Sequence, residues 1–198
     1  MLILKSNKEN FINIFSQAHK KNEPVIFPTD TIYGIGAFFN DEKANNKIFD
    51  LKNRDYSKPF PVLISNINQL SYLKADLSDA QLKVLNKFWP GKFTFILNTN
   101  LNYKYCVLEA KIAVRLVSNL PVADMIDYFD KPVTATSANF SGQEYDPSIK
   151  NIIKNFSNKV NYYIYQGTDN KNPSSIIDLT IPGYRIIRNS HNIKLEDL

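Results

Sequence analysis

Val25-Ile-Phe-Pro-Thr-Asp-Thr-Ile-Tyr-Gly-Ile-Gly36 is a short apolar run that opens into polar residues and two glycines. The first three residues favour a buried strand, and the proline ends it because proline cannot donate to a ladder. The Thr-Asp-Thr segment at 29–31 can bond nearby backbone or a ligand, and each glycine permits a positive φ or a close approach of another group. We therefore expect a strand that opens into a binding loop at the carboxyl end of a sheet. A strand followed by an ordinary polar turn is the alternative.

Outward from this stretch, helical and strand patterns alternate and predict an α/β fold with a sheet of mixed direction. Helices are expected over 7–21, 41–52, 78–88 and 120–129, and further strands over 61–64, 93–97, 112–116, 132–135, 162–165, 175–179 and 184–187. The length of 198 residues suits a single domain, 1–198.

The composition excludes several classes of site. The chain has a single cysteine, Cys106, and two distant histidines, so neither a disulfide nor a zinc site is expected. No apolar run approaches the ~18 residues of a membrane span, and the N-terminus lacks the apolar core of a signal peptide, so we expect a cytoplasmic protein with no membrane partner. The net charge of +5, spread without a long basic run, permits binding to polyanions such as nucleotides or RNA.

Cations and hydroxyls recur at the ends of predicted elements, although neither of the usual glycine-rich phosphate loops is present. Lys52 and Arg54 follow a predicted helix, where we expect an exposed loop; interaction with the helix C-terminus is the alternative. Arg115 lies within an apolar strand and needs a partner or an outlet to a cleft, unless it points outward from an edge strand. Polar groups also follow predicted strands at Thr29-Asp30-Thr31, Ser137/Asn139, Ser174/Ser175 and Arg188. One concave site that collects them would suit anion binding and positioning better than nucleophilic chemistry by a side chain.

The same segments carry a family resemblance. The chain resembles the YrdC-like family, and within it the short threonylcarbamoyl-AMP synthases of the TsaC type. The matching motifs, in family order, are Phe27-Pro-Thr-Asp-Thr-Ile-Tyr-Gly34, Leu51-Lys-x-Arg54 with Lys58-Pro59, Trp89-Pro-Gly-x-x-Thr94, Ala113-Val-Arg115, Ser137-Ala-Asn-x-Ser-Gly142 and Asn172-Pro-Ser-Ser175.

The resemblance implies a twisted mixed sheet flanked by helices, with a concave basic face, and a reaction. L-Threonine, bicarbonate and ATP, with Mg²⁺ carried by the ATP and no metal bound by the protein, would give threonylcarbamoyl-AMP and pyrophosphate. A separate transferase would then modify tRNA. The matching positions for threonine are Thr31, Arg115, Ala135 and Ser174. Those for ATP are Lys52, Arg54, Lys58, Ser137, Asn139 and Arg188, with Lys52 and Arg54 as the catalytic pair.

Two other functions remain open at this point. A non-catalytic RNA-binding module would use the same basic cleft and explain the charge equally well. A related enzyme acting on carbamoyl phosphate is disfavoured because the chain lacks cysteine-rich zinc segments and further domains.

Overall fold

A computed structural model describes residues 1–167 and 172–198. The described chain forms thirteen strands, five α-helices and two short 3-10 helices (Ile67–Leu70 and Leu195–Asp197). The α-helices are α1 (Lys8–Lys20), α2 (Glu42–Lys52), α3 (Asp79–Phe88), α4 (Pro121–Phe129) and α5 (Ile149–Phe156). The strands are β1 (Leu2–Lys5), β2 (Val25–Phe27), β3 (Gly34–Gly36), β4 (Val62–Ile64), β5 (Ala75–Asp76), β6 (Phe93–Thr99), β7 (Val107–Leu108), β8 (Lys111–Leu116), β9 (Val133–Thr134), β10 (Thr136–Ser137), β11 (Tyr162–Tyr165), β12 (Ser175–Asp178) and β13 (Arg185–Arg188).

The strands pair into two sheets, each of mixed direction. One sheet has the order β1-β11-β2-β3-β10, in which β11 runs parallel to both β1 and β2 while β3 is antiparallel to its neighbours. The other has the order β13-β12-β6-β8-β4-β9, with short β5 and β7 added to β6 and β8. The predicted α/β class and mixed strand directions are confirmed, and the strands are divided between two sheets.

The two sheets meet where β9 leads through one residue into β10 and where Phe38 bridges to Val133. Gly36 makes this junction possible, since a Cβ built on it would lie 1.8 Å from the carbonyl oxygen of Thr134. Neither Gly34 nor Gly36 has a positive φ. Of the two uses predicted for these glycines, close approach is therefore correct at Gly36, and both residues lie in strand β3 rather than in a loop.

Local side-chain caps place the helix starts where the sequence predicts them. Asn7 caps α1 by accepting from the amide of Asn10 at 2.8 Å. Asp41 caps α2 through the amide of Ala44 at 3.1 Å, and Ser78 forms a capping box with Gln81 at the start of α3. Each cap satisfies an amide that has no partner inside its helix.

The core consists of two apolar clusters, and each of them draws residues from both sheets. The smaller one lies under α1 and α4 and includes the buried face of α1, formed by Phe11, Ile14, Phe15 and Ala18. The larger one packs α2, α3 and α5 with strands of both sheets. No helix within the described ranges is both long and apolar enough to cross a membrane.

Candidate functional site

A cleft of about 490 Å³ opens between the two sheets. It is lined from one side by β3 and β10 and from the other by β4, β6, β8, β12 and β13. Among the described lining residues the cationic ones are Arg54, Lys58, Lys111, Arg115 and Arg188, whereas the acidic one is Glu109. This excess of positive charge makes the cleft a site for anions.

Apolar side chains form much of the remaining wall. Leu63, Ile96, Ala113, Ala135 and Ile176 lie among the lining residues. Such a surface excludes water from a bound ligand, and it strengthens any hydrogen bond made beside it.

Arg115 is the most buried of the lining cations, with 4% of its surface exposed. Its Nε donates to the carbonyl of Gly91 at 2.8 Å, its Nη1 donates to Thr31 Oγ1 at 2.9 Å, and its Nη2 forms an ion pair with Asp30. Burial lowers the pKa of this guanidinium, an effect that Asp30 opposes. The arginine therefore has both of the predicted features, partners and an outlet to a cleft, and does not point outward from an edge strand.

The hydroxyls of Thr29 and Thr31 continue this network into the turn after β2. Thr29 Oγ1 donates to the carbonyl of Ile32 at 2.7 Å and lies 2.9 Å from Thr31 Oγ1. Because the Thr29 proton is used in that bond, Thr31 donates to Thr29 while it accepts from Arg115. A directed chain of hydrogen bonds thus fixes the rotamer of Thr31 at the cleft wall.

Ser174 occupies the opposite wall. Its hydroxyl lies 2.8 Å from that of Thr94, and its carbonyl accepts from Arg188 Nε at 2.7 Å. Much of the Arg188 side chain is solvent-exposed. Desolvation of its guanidinium, and next repulsion from Arg115, lower its pKa. Two guanidinium groups that repel one another favour the arrival of an anion between them.

Arg54 enters the cleft from the loop after α2. Its Nε donates to the carbonyl of Lys58 at 2.6 Å, and its Nη1 donates to Thr136 Oγ1 at 3.2 Å. The guanidinium also lies 5.4 Å from the ring centre of Phe60, which stacks on Phe49 at 4.2 Å. This packing holds the loop from behind and points Arg54 at the cleft.

Lys52 does not line the cleft, and the expectation that it lies in an exposed loop is wrong. It ends α2 with 1% of its surface exposed, and its Nζ donates to the carbonyls of Ser137 and Asn139. The physical reason is that these two backbone carbonyls pair with the N–H donors of the lysine and so make its burial possible. The side chain of Asn139, also absent from the lining, accepts from Ser137 Oγ at 2.5 Å and donates to the carbonyl of Gln143 at 2.6 Å.

The structure therefore brings eight of the ten residues matched to threonine and ATP to one cavity and leaves Lys52 and Asn139 outside its lining. Those in the lining are Thr31, Arg54, Lys58, Arg115, Ala135, Ser137, Ser174 and Arg188. Asp30 and Ser175, among the polar groups after predicted strands, also lie outside the lining. Sequence reasoning missed Thr94, Glu109 and Lys111 as site residues. Thr94 had a signal, because it closes the Trp-Pro-Gly-x-x-Thr motif. Glu109 lies in the turn between β7 and β8, and Lys111 begins β8; neither position carries a sequence signal.

Comparison with known proteins decides the family. A family model named Sua5_yciO_yrdC, with the description "Telomere recombination", matches residues 17–190. The chain belongs to the Sua5/YciO/YrdC family. This confirms the resemblance drawn from the motifs.

Two relatives within the Sua5/YciO/YrdC family are named threonylcarbamoyl-AMP synthase. The one from Buchnera aphidicola is 31% identical over 163 residues, which cover 80% of this chain and 93% of that protein. The one from Pyrococcus abyssi is 29% identical over 164 residues, which cover 81% of this chain, and this chain spans 48% of that longer protein.

A solved structure extends the comparison to three dimensions. The crystal structure of P. abyssi Sua5 complexed with L-threonine has a TM-score of 0.84 and 25% sequence identity. The match covers 95% of this chain and 57% of that one. Over the matched part, this chain therefore has the same fold as P. abyssi Sua5.

Proposed function

We propose that this protein is a threonylcarbamoyl-AMP synthase, which converts L-threonine, bicarbonate and ATP into L-threonylcarbamoyladenylate and pyrophosphate. One observation carries the proposal. A single cleft offers a buried arginine in a hydroxyl network at one place and several further cations around it. Its volume of about 490 Å³ is in the range of roughly 300–1,000 Å³ typical of small-molecule sites.

The threonine end of the site would be the wall around Arg115. A guanidinium has five N–H donors, and Arg115 uses three of them on Gly91, Asp30 and Thr31. The two remaining donors suit a carboxylate, which arginine binds with matched geometry. Ala135 and Ser174, also in the lining, would bound the pocket for the amino acid side chain.

The ATP end would use the cations that surround this pocket. Arg54, Lys58 and Arg188, with the hydroxyl of Ser137, line the cleft and supply donors for a triphosphate. Mg²⁺ would arrive bound to ATP and neutralise part of the phosphate charge. In the described part of the chain no group of three acidic, histidine or cysteine side chains is placed to hold an ion, and the lining donors suit phosphate oxygens better than a metal.

The chemistry follows from these positions. The threonine amine attacks bicarbonate, and loss of water gives a carbamate. A carbamate oxygen then attacks the α-phosphorus, the bond to the bridging oxygen of the β-phosphate breaks, and that oxygen leaves with pyrophosphate. The charge that develops on the phosphates is stabilised by cations already in place, so positioning and electrostatics supply the catalysis without a protein nucleophile.

The product is a reactive mixed anhydride, and we propose that it serves the threonylcarbamoyladenosine modification of tRNA in the cytoplasm. A separate transferase would take the threonylcarbamoyl group, whether the intermediate is released or passed on directly. The names of two relatives support the synthase activity itself, because each is named threonylcarbamoyl-AMP synthase.

The test is a reconstitution. The purified protein is mixed with ATP, L-threonine, bicarbonate and Mg²⁺, and threonine-dependent pyrophosphate and the mixed anhydride are measured. Arg54→Ala should lose activity by roughly tenfold to a hundredfold, the value of a charge-assisted contact. Arg185→Ala, on an exposed position outside the described cleft lining, is the matched control. Tight, salt-dependent tRNA binding without turnover would instead support the RNA-binding alternative.

A further inference from the structure

The ammonium of Lys52 lies at the junction between α2 and the segment from Ser137 to Asn139. It donates to the carbonyls at both ends of that segment, although these residues are 85 and 87 positions away in sequence. A backbone hydrogen bond adds a second link between α2 and this part of the chain, since the amide of Ser141 donates to the carbonyl of Lys52 at 3.1 Å. The end of α2 and this segment are therefore tied by side chain and backbone together.

The segment itself is folded tightly around these contacts. The amide of Asn139 donates to the carbonyl of Ser137 at 2.9 Å, and the amide of Ala138 donates to the carbonyl of Tyr33 at 2.9 Å. With both carbonyls turned toward Lys52, the Ser137 side chain is left at the cleft wall, where it is a lining residue. Lys52 therefore affects the cleft indirectly, because it fixes the position of Ser137.

Burial of the Lys52 ammonium costs free energy, because the charge loses its hydration. Within the described residues no carboxylate lies within ion-pair distance of Lys52 Nζ, and the acceptors found are neutral carbonyls. Desolvation, and next the positive charge of Arg54, lower the pKa of Lys52 to about 7. An apolar side chain would fill the same space without that penalty. A neutral amine still has two N–H groups for the two carbonyls, so the hydrogen bonds do not depend on the charge.

We propose that Lys52 is a positioning residue, which fixes the Ser137–Asn139 segment at the cleft wall and does not itself contact ATP. The identity of the ligand in this inference rests on the proposed function. The positioning role itself rests on the contacts of Lys52. It assigns Lys52 and Arg54 different tasks, although they stand two residues apart: Arg54 faces the phosphates, and Lys52 shapes the wall beside them.

Two substitutions separate hydrogen bonding from charge. Lys52→Met keeps an unbranched side chain but removes the donors, whereas Lys52→Gln keeps two N–H donors without a charge. If Lys52 positions the segment, Gln should restore part of what Met loses. If its charge acts on phosphate, the two variants should be equally defective. Gln is also the variant to rely on if Met does not fold.

The first measurement is amide hydrogen exchange at residues 138–141 without any ligand. Lys52→Met should speed exchange by about tenfold or more, the equivalent of one lost hydrogen bond, with Lys52→Gln in between. Arg54→Met is the matched comparison and should leave these amides unchanged. Unchanged exchange in both Lys52 variants would overturn the proposal. This result stands whether or not the wild-type protein proves to be a synthase.

The second measurement is kinetic and is made once the wild-type protein shows turnover. Lys52→Met should lower kcat and raise the KM for ATP, and adding Ser137→Ala to it should cost little more, because both act through one hydroxyl. Arg54→Met and Ser137→Ala should instead combine additively. An additive effect of Lys52→Met and Ser137→Ala would count against positioning, while absence of wild-type turnover would count against the proposed function.

Discussion

Replacement of Arg115 by lysine tests the hydrogen-bond network around this residue. The substitution keeps the positive charge but removes the planar guanidinium, whose three nitrogens donate in different directions. Arginine reaches Gly91, Thr31 and Asp30 from three different nitrogens. A single ammonium on a shorter stem reaches them from one point, so at least the Gly91 carbonyl and one further acceptor lose their donor. An unpaired acceptor costs about 1–2 kcal/mol here, the lower part of the usual range, because Gly91 and Asp30 are only partly buried; with two acceptors lost we expect the free energy of unfolding to fall by about 2–4 kcal/mol.

This loss is measurable in two ways. In a domain of this size about 1 kcal/mol corresponds to roughly 2–4 °C, so the Tm should fall by roughly 5 to 15 °C. Under the proposed function, calorimetric titration with L-threonine should show about tenfold to hundredfold weaker binding, the value of a charge-assisted contact. Arg185→Lys, on the exposed face of β13, should change neither quantity.

Two results would refute the reasoning. If Arg115→Lys unfolds at the wild-type temperature, the three contacts do not stabilise the fold as argued. If it is destabilised but binds threonine within about twofold of wild type, the arginine is structural and the threonine pocket lies elsewhere in the cleft.

Three further predictions concern the scaffold. Gly36→Ala should destabilise by more than about 3 kcal/mol or prevent folding, because its Cβ would overlap the carbonyl of Thr134; urea unfolding or soluble yield measures this, and a wild-type midpoint would contradict it. Ser78→Ala removes half of the capping box with Gln81 and should cost about 1 kcal/mol by urea unfolding, whereas no change would mean that the box is not formed in solution. Burial raises the pKa of Cys106 to about 12, so alkylation at pH 8 should be slow when folded and fast in urea; rapid alkylation of the folded protein would show that the thiol is accessible.

The elements that the sequence predicted well are those with strong local signals. The four predicted helices were placed within one or two residues because caps and apolar spacing coincide there. Helix α5 was missed although Ile149, Ile152, Ile153 and Phe156 have helical spacing, so its signal was present and went unused. Strands β1, β3, β5, β7 and β10 were missed for another reason: each has only two to four residues, and these become a strand by pairing with another segment.

The site divides in the same way. Arg115 could be identified because a charge in an apolar strand needs an explanation, and the cleft supplies it. Lys52 was assigned to an exposed loop because nothing in its neighbourhood distinguishes a lysine that turns inward. Its partners lie at Ser137 and Asn139, and only the completed fold brings them within reach. The individual roles toward threonine and ATP remain predictions.

The charge of the cleft also bears on what happens after the reaction. Among the described residues, five cationic side chains and one carboxylate line the cleft, and their charges act on any anion that fits. Under the proposed function, pyrophosphate would be formed among the groups that bind ATP and would be attracted by the same charges. Pyrophosphate that accumulates should then compete with ATP and slow turnover, and an added pyrophosphatase should relieve that inhibition.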